Sequence, residues 1–147
     1  MNEATKIFLI DTNILVYAYD TTDSRKHKIA LQLLEKCWKK EIQYAISAQN
    51  LSEFFIIITR KVPHPLPVAE AEIIIQDICA FSGWMVLHYT KHTLQRSIQL
   101  HKETGTHFWD ALIAATMQEA GIAHIYTENE KDFKLFENIT VVNPFKN

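Results

Sequence analysis

Three carboxylates stand where a carboxylate is expensive. Asp11 ends the apolar run Ile7-Phe8-Leu9-Ile10, and Glu53 lies inside Leu51-Ser52-Glu53-Phe54-Phe55-Ile56-Ile57-Ile58. Asp110 lies inside Phe108-Trp109-Asp110-Ala111-Leu112-Ile113-Ala114-Ala115. An ionised carboxylate taken out of water is strongly disfavoured unless something pairs with it. No Lys or Arg recurs beside these three at a fixed offset. A shared cation is the economical account. Mg²⁺ and Mn²⁺ take carboxylate oxygens and water with few protein ligands. Several acids around an open site suit metal-assisted hydrolysis of phosphodiesters.

Each acid alone has a simpler role. Asp11 is well placed to cap a helix beginning near Asn13. Asp110 suits the first turn of a helix, where the dipole favours a negative charge. Glu53, set among large apolar residues, would need a buried lysine. Together the three are more specific than any one. Other chemistries find less support. No Gly-rich phosphate loop marks nucleoside triphosphate chemistry. No Asp-x-Asp pair marks a phosphatase nucleophile. His27, His64, His88, His92, His101, His107 and His124 show no zinc-ligand spacing with the two cysteines. His107 lies nearest to the acids in sequence and is a candidate for substrate contact.

The elements that must position these acids are short. An apolar strand over Lys6 to Ile10 delivers Asp11, and a helix over Asn13 to Tyr19 follows. Apolar pairs at helical spacing give an amphipathic helix from Ser24 to Lys40. A strand over Tyr44 to Ser47 leads into a helix from Gln49 to Lys61, which carries Glu53. Val62-Pro63-His64-Pro65-Leu66-Pro67 breaks the chain. A helix from Val68 to Phe81, with Ala71, Ile74, Ile75 and Ile78 inward, precedes a strand over Trp84 to His88. Lys91 to Glu103 forms a helix that stops near Gly105. Phe108 to Ala120 is apolar almost all round and closed by Gly121, so it is a central buried helix carrying Asp110. A strand over His124 to Thr127, a helix over Glu130 to Phe136 and a strand over Thr140 to Val142 complete the chain. Short apolar strands alternating with helices mean a mostly parallel sheet covered on both faces. Ligands in such folds bind beyond the carboxyl ends of the strands, where Asp11 and Thr127-Glu128-Asn129 fall.

At 147 residues the chain reads as one domain over 1–147, and its 48% hydrophobic and 22% charged content are ordinary for a globular protein. A net charge of −2 does not mark a nucleic-acid binder. The positive charge is uneven, however: Arg25, Lys26, Lys28, Lys36, Lys39 and Lys40 crowd one region and Arg60-Lys61 form a second cluster. Such runs read as a solvated helix face or as a local phosphate-attracting patch. The start Met1-Asn2-Glu3-Ala4-Thr5-Lys6 has no signal-peptide pattern, and no stretch reaches the length of a membrane span. Cys37 and Cys79 read as buried thiols in a reducing, cytoplasmic compartment.

Four segments, in order, then carry a resemblance. They are Ile10-Asp11-Thr12-Asn13-Ile14-Leu15, Gln49-Asn50-Leu51-Ser52-Glu53-Phe54, Phe108-Trp109-Asp110-Ala111-Leu112-Ile113-Ala114 and Tyr126-Thr127-Glu128-Asn129-Glu130-Lys131-Asp132-Phe133. They resemble the four motifs of PIN-domain nucleases, most closely the VapC toxins of prokaryotic toxin–antitoxin pairs. The resemblance implies a three-layer α/β/α fold and Mg²⁺- or Mn²⁺-dependent endoribonuclease activity. It also implies a homodimer silenced by a protein antitoxin. Asp11, Glu53 and Asp110 become the catalytic metal-site acids, supported by Thr12, Asn13, Thr127 and Glu128. Arg25, Lys26 and Lys28 become RNA-binding candidates. The family's further acid falls at Asn129 here, so Asn129 is a candidate for the fourth metal-site position with Glu128 and Asp132 as candidate substitutes, a surface role on the following helix being the simpler one for Asp132. Two other readings stand beside this one: an RNA-processing PIN nuclease without a toxic role, and a catalytically weakened module that binds RNA or protein.

Overall fold

Side-chain alternation decides the layering. In a strand, successive residues point to opposite faces, and these strands are apolar on both. Leu9 and Ala45 join one buried cluster while Ile10, Tyr44 and Ile46 join the other. Cover is therefore needed on both sides, and helices supply it. The computed structural model describes residues 6–146. In chain order the elements are β1 (Phe8–Ile10), α1 (Thr12–Tyr19), α2 (Ser24–Trp38), β2 (Tyr44–Ser47), α3 (Ala48–Arg60), α4 (Val68–Ala80), β3 (Trp84–Leu87), α5 (Lys91–Thr104), α6 (Phe108–Ala120), β4 (His124–Tyr126), α7 (Glu130–Phe133) and β5 (Thr140–Val142).

Among the described residues the strands form one sheet of order β3-β2-β1-β4-β5. Every pairing is parallel, with Leu9 opposite Ala45 on one side and Ile125 on the other. The α1, α2, α3 and α4 side buries Ile14, Leu34, Phe54 and Ile78 with Tyr44. The α5, α6 and α7 side buries Leu100, Ala114, Met117 and Phe133 with Leu9. This is the three-layer arrangement the sequence implies, with a sheet that is parallel throughout. The chain leaves β1 toward β2 on one side and returns on the other side as β4, so the switch in strand order lies between β1 and β4. Asp11 follows β1 and Thr127 follows β4, side by side: the Asp11 N–H donates to the Tyr126 carbonyl at 3.0 Å.

The boundaries differ from expectation by small, explicable amounts. Ser47, read as strand, is also the N-cap of α3, and Asn50 closes a reciprocal capping box with it. α2 ends at Trp38 because Lys40 takes a left-handed conformation, φ 61°. α5 and α6 end on Gly105 and Gly121, both left-handed at φ 71° and 72°. α7 stops at Phe133, yet Phe136 still fills the core. One expectation fails: Cys79 is exposed while Cys37 is buried. α4 lies at the outside of its layer and buries only Ala71 and Ile78, so the residue after Ile78 turns to solvent. The helix pattern alone suggested a wider buried face. No helix of the described residues is long and apolar enough to cross a membrane.

Candidate active site

Four separate pieces of chain bring four acids to the carboxyl edge of the sheet. Asp11 comes first because β1 ends in the core. Its backbone caps α1 and its carboxylate, 5% exposed, takes the Thr12 N–H at 2.8 Å. Three side chains add donors: the Thr127 hydroxyl at 2.6 Å, the Asn13 amide at 3.3 Å and the Asn50 amide at 3.3 Å. Burial raises the Asp11 pKa, and the Glu53 charge adds to it; the bonds from Thr127, Thr12 and Asn13 pull the other way without cancelling it. Asp11 is thus the helix cap, with its carboxylate buried and held by four donors.

Glu53 lies one turn into α3, half-buried. Its Oε2 accepts from the Thr12 hydroxyl at 3.1 Å and its Oε1 from the Gln49 amide at 2.8 Å. The buried lysine that would neutralise it is not there: among the described residues no ion pair reaches Asp11, Glu53, Asp110 or Asp132. Asp110 sits in the first turn of α6. Its pKa is pushed from 3.8 up to about 7, first by burial, then by the charges of Asp11, Asp132 and Glu53. That one carboxyl feels all three others places the four acids in one electrostatic cluster. The first-turn dipole position does not offset this.

The fourth motif resolves into distinct roles. Asn129 donates its amide to Asp110 at 3.0 Å and to Asp132 at 3.3 Å. Two carboxylate acceptors dictate that orientation, so Asn129 offers the acids a nitrogen, not an oxygen. Asp132 is half-buried against Asp110, not out on an open surface. Glu128 turns away to a latch of its own. It takes Lys26 Nζ at 2.5 Å and the Tyr17 hydroxyl at 3.1 Å, while its N–H donates to Asn13 at 3.2 Å. Lys26 also stands over the Tyr17 and Phe145 rings. Arg25 is bonded to the Phe145 carbonyl, and Lys28 is exposed. Lys26 and Arg25 are therefore engaged in holding the carboxyl-terminal segment against α1 and α2. His107 is the N-cap of α6, and its carbonyl accepts from Asp110 and Ala111.

Two positions carry weight that sequence reading missed. Asn50 is fully buried and joins three partners: it bonds Ser47 through Oδ1 and reaches Asp11 and Thr12 through its amide. Gln49 joins Glu53 to the Trp109 carbonyl, at 2.8 and 3.0 Å. A polar pair opening an otherwise apolar helix was the available signal.

The donor set suits a hard divalent cation: carboxylate oxygens, hydroxyls, and no ion-paired cation among them. Among the described residues no three acids, histidines or cysteines close on one point at ligating distance. Like charges repel, and the Asn129 amide bridges Asp110 and Asp132 while those of Asn13 and Asn50 donate to Asp11.

A family model for the PIN domain matches residues 8–138, and the chain belongs to that family. Solved structures agree on the fold. A toxin–antitoxin complex from Klebsiella pneumoniae shares 26% identity at a TM-score of 0.65, covering 93% of this chain and 97% of that one. The sarcin-ricin-loop-cleaving toxin VapC20 of Mycobacterium tuberculosis is 20% identical, TM-score 0.65, over 84% and 91%. The VapBC2 complex of Rickettsia felis, bound to a fragment of promoter DNA, is 21% identical, TM-score 0.65, over 93% and 98%. No match is found among curated proteins.

Proposed function

We propose that this PIN-domain protein is a divalent-metal-dependent endoribonuclease acting as the cytoplasmic toxin of a toxin–antitoxin pair. The observation that carries the reading is that Thr12 links Asp11 to Glu53 and Asn129 links Asp110 to Asp132, while no Lys or Arg is ion-paired to any of the four acids among the described residues. The similar toxin structures support the toxin role and a protein antitoxin as partner. Asp11, Glu53, Asp110 and Asp132 are the groups that hold Mg²⁺ or Mn²⁺. Asp132 takes the fourth acidic place that Asn129 leaves, and Asn129 positions it beside Asp110. The bound cation supplies the charge that activates water and stabilises the phosphodiester transition state.

The chain's own residues do the rest. Thr12, Asn13, Asn50 and Thr127 fix both oxygens of Asp11, which orients that carboxylate at the end of β1. Gln49 and Thr12 fix Glu53 between α3 and α1. No side chain needs to form a covalent intermediate. Exposed Val68 and Ile73 on α4 are the apolar side chains that pair with a second copy. The test is cleavage of mixed RNA with Mg²⁺, Mn²⁺ or chelator. Cleavage with either metal, its loss in chelator, and a fall of at least about 100-fold in Asp11→Asn are expected. Equal rates for Asp11→Asn and wild type would overturn the reading.

A further inference from the structure

A cavity of about 580 Å³ opens beside the acids, and Glu53, Asp110, Gln49, Lys61, His107 and Trp109 are among the residues of its wall. Its chemistry differs from that of the acid cluster. Trp109 is 59% exposed, whereas Trp84 is 5% exposed. An indole is the largest apolar side chain, and leaving one in water next to a charged site gains nothing for the fold. Trp109 sits immediately before Asp110 on α6, so its position is fixed relative to the acids. Ile56, 38% exposed, adds apolar surface to the same wall.

Gln49 ties this platform to the acids. Its amide nitrogen is committed to two acceptors, Glu53 and the Trp109 carbonyl, at 2.8 and 3.0 Å. The cavity wall thus offers an aromatic face, held in place relative to Glu53, and the cation Lys61, beside the groups that would act on a phosphodiester. A planar ring attached to a phosphate matches both.

We propose that Trp109 is the stacking platform for an unpaired nucleobase next to the scissile phosphate, with Gln49 holding that platform against Glu53 and Lys61 facing the adjoining phosphate. The proposal rests on the nuclease reading above and names the part of the substrate that reading left open. Stacking on an aromatic side chain is tolerant of base identity, because every base has a π-face. The substrate segment at the site is therefore single-stranded.

The test uses the full chain carrying Asp11→Asn, so that the probe is not cut. The probes are a short, unstructured, mixed-sequence RNA and a strand of equal length lacking bases, titrated by fluorescence anisotropy. Adding Trp109→Ala should weaken the RNA by about 5- to 150-fold and leave the abasic strand unchanged. Trp109→Phe should restore part of the loss. Equal RNA affinity with and without Trp109→Ala, equal losses for both strands, or no RNA binding at all would each overturn the proposal. A change in sedimentation with RNA affinity unchanged would assign the face to a protein contact and overturn it too. Thermal melting guards against misfolding, since an exposed indole contributes little to the core. Failure of the platform leaves Asp11-dependent cleavage by otherwise wild-type protein intact. Failure of the nuclease reading removes that cleavage altogether.

Discussion

Asp110 is the residue on which burial and three neighbouring charges act in the same direction. Its carboxyl holds its proton up to about pH 7, against 3.8 for an ordinary aspartate. The sign of the consequence is fixed. The folded chain binds more protons than the unfolded chain between these values, so stability falls as pH rises through that window. Asp110→Asn removes the penalty while keeping an acceptor for the Asn129 amide. In chelator at about pH 8 the variant should melt higher than wild type, and near pH 4 the two should converge. The carboxyl is only half-buried, so solvent screening trims the gain to about 1–2 kcal/mol. Thermal denaturation at the two pH values checks it, and a lower melting temperature at the higher pH would show that Asp110 is a structural partner. Activity should fall in the same variant. A group that costs stability at the carboxyl edge of the sheet fits function better than folding.

At the scale of elements, the start of α3 links fold to site. The Asn50 N–H donates to Ser47 Oγ at 3.0 Å, and the Ser47 N–H donates to Asn50 Oδ1 at 3.1 Å. With Oδ1 so held, the Asn50 amide can point only toward Asp11 and Thr12. A helix cap therefore orients the carboxylate at the end of a neighbouring strand. Ser47→Ala should cost about 1 kcal/mol of stability and lower the cleavage rate as well. Melting and single-turnover cleavage check this; a stability loss with an unchanged rate would separate the cap from the site. Much of this scale was legible in the sequence. The apolar period and Gly121 set α6 at its observed bounds, and the break at Pro63 to Pro67 separated α3 from α4. Cys79 was not legible, because how much of a helix face is buried depends on what packs over it. Nor was the pairing of Lys26 with Glu128, 102 residues apart in sequence. Neither partner carries a local sign of the other.

For the whole molecule, the decisive fact is that no single segment contains the site. Asp11 follows β1, Glu53 lies on α3, Asp110 on α6 and Asp132 on α7. The strand-order switch between β1 and β4 brings the first and last of these motifs together, and the two helical layers deliver the others. The acids at strand and helix starts could be picked out from sequence because each was a charge in an apolar run. Asp132 and Asn129 could not be told apart, since both are polar residues in a short polar stretch and only the fold shows which carboxylate meets Asp110. Carboxylates drawn from four elements repel one another when ionised, so on the proposed function a bound cation would raise stability. Calorimetric titration with Mn²⁺ measures this directly in wild type, Asp11→Asn and Asp132→Asn. The account predicts saturable binding by wild type and at least about tenfold weaker binding by both variants. Absence of Mn²⁺ binding by wild type, or equal affinity in all three proteins, would contradict it.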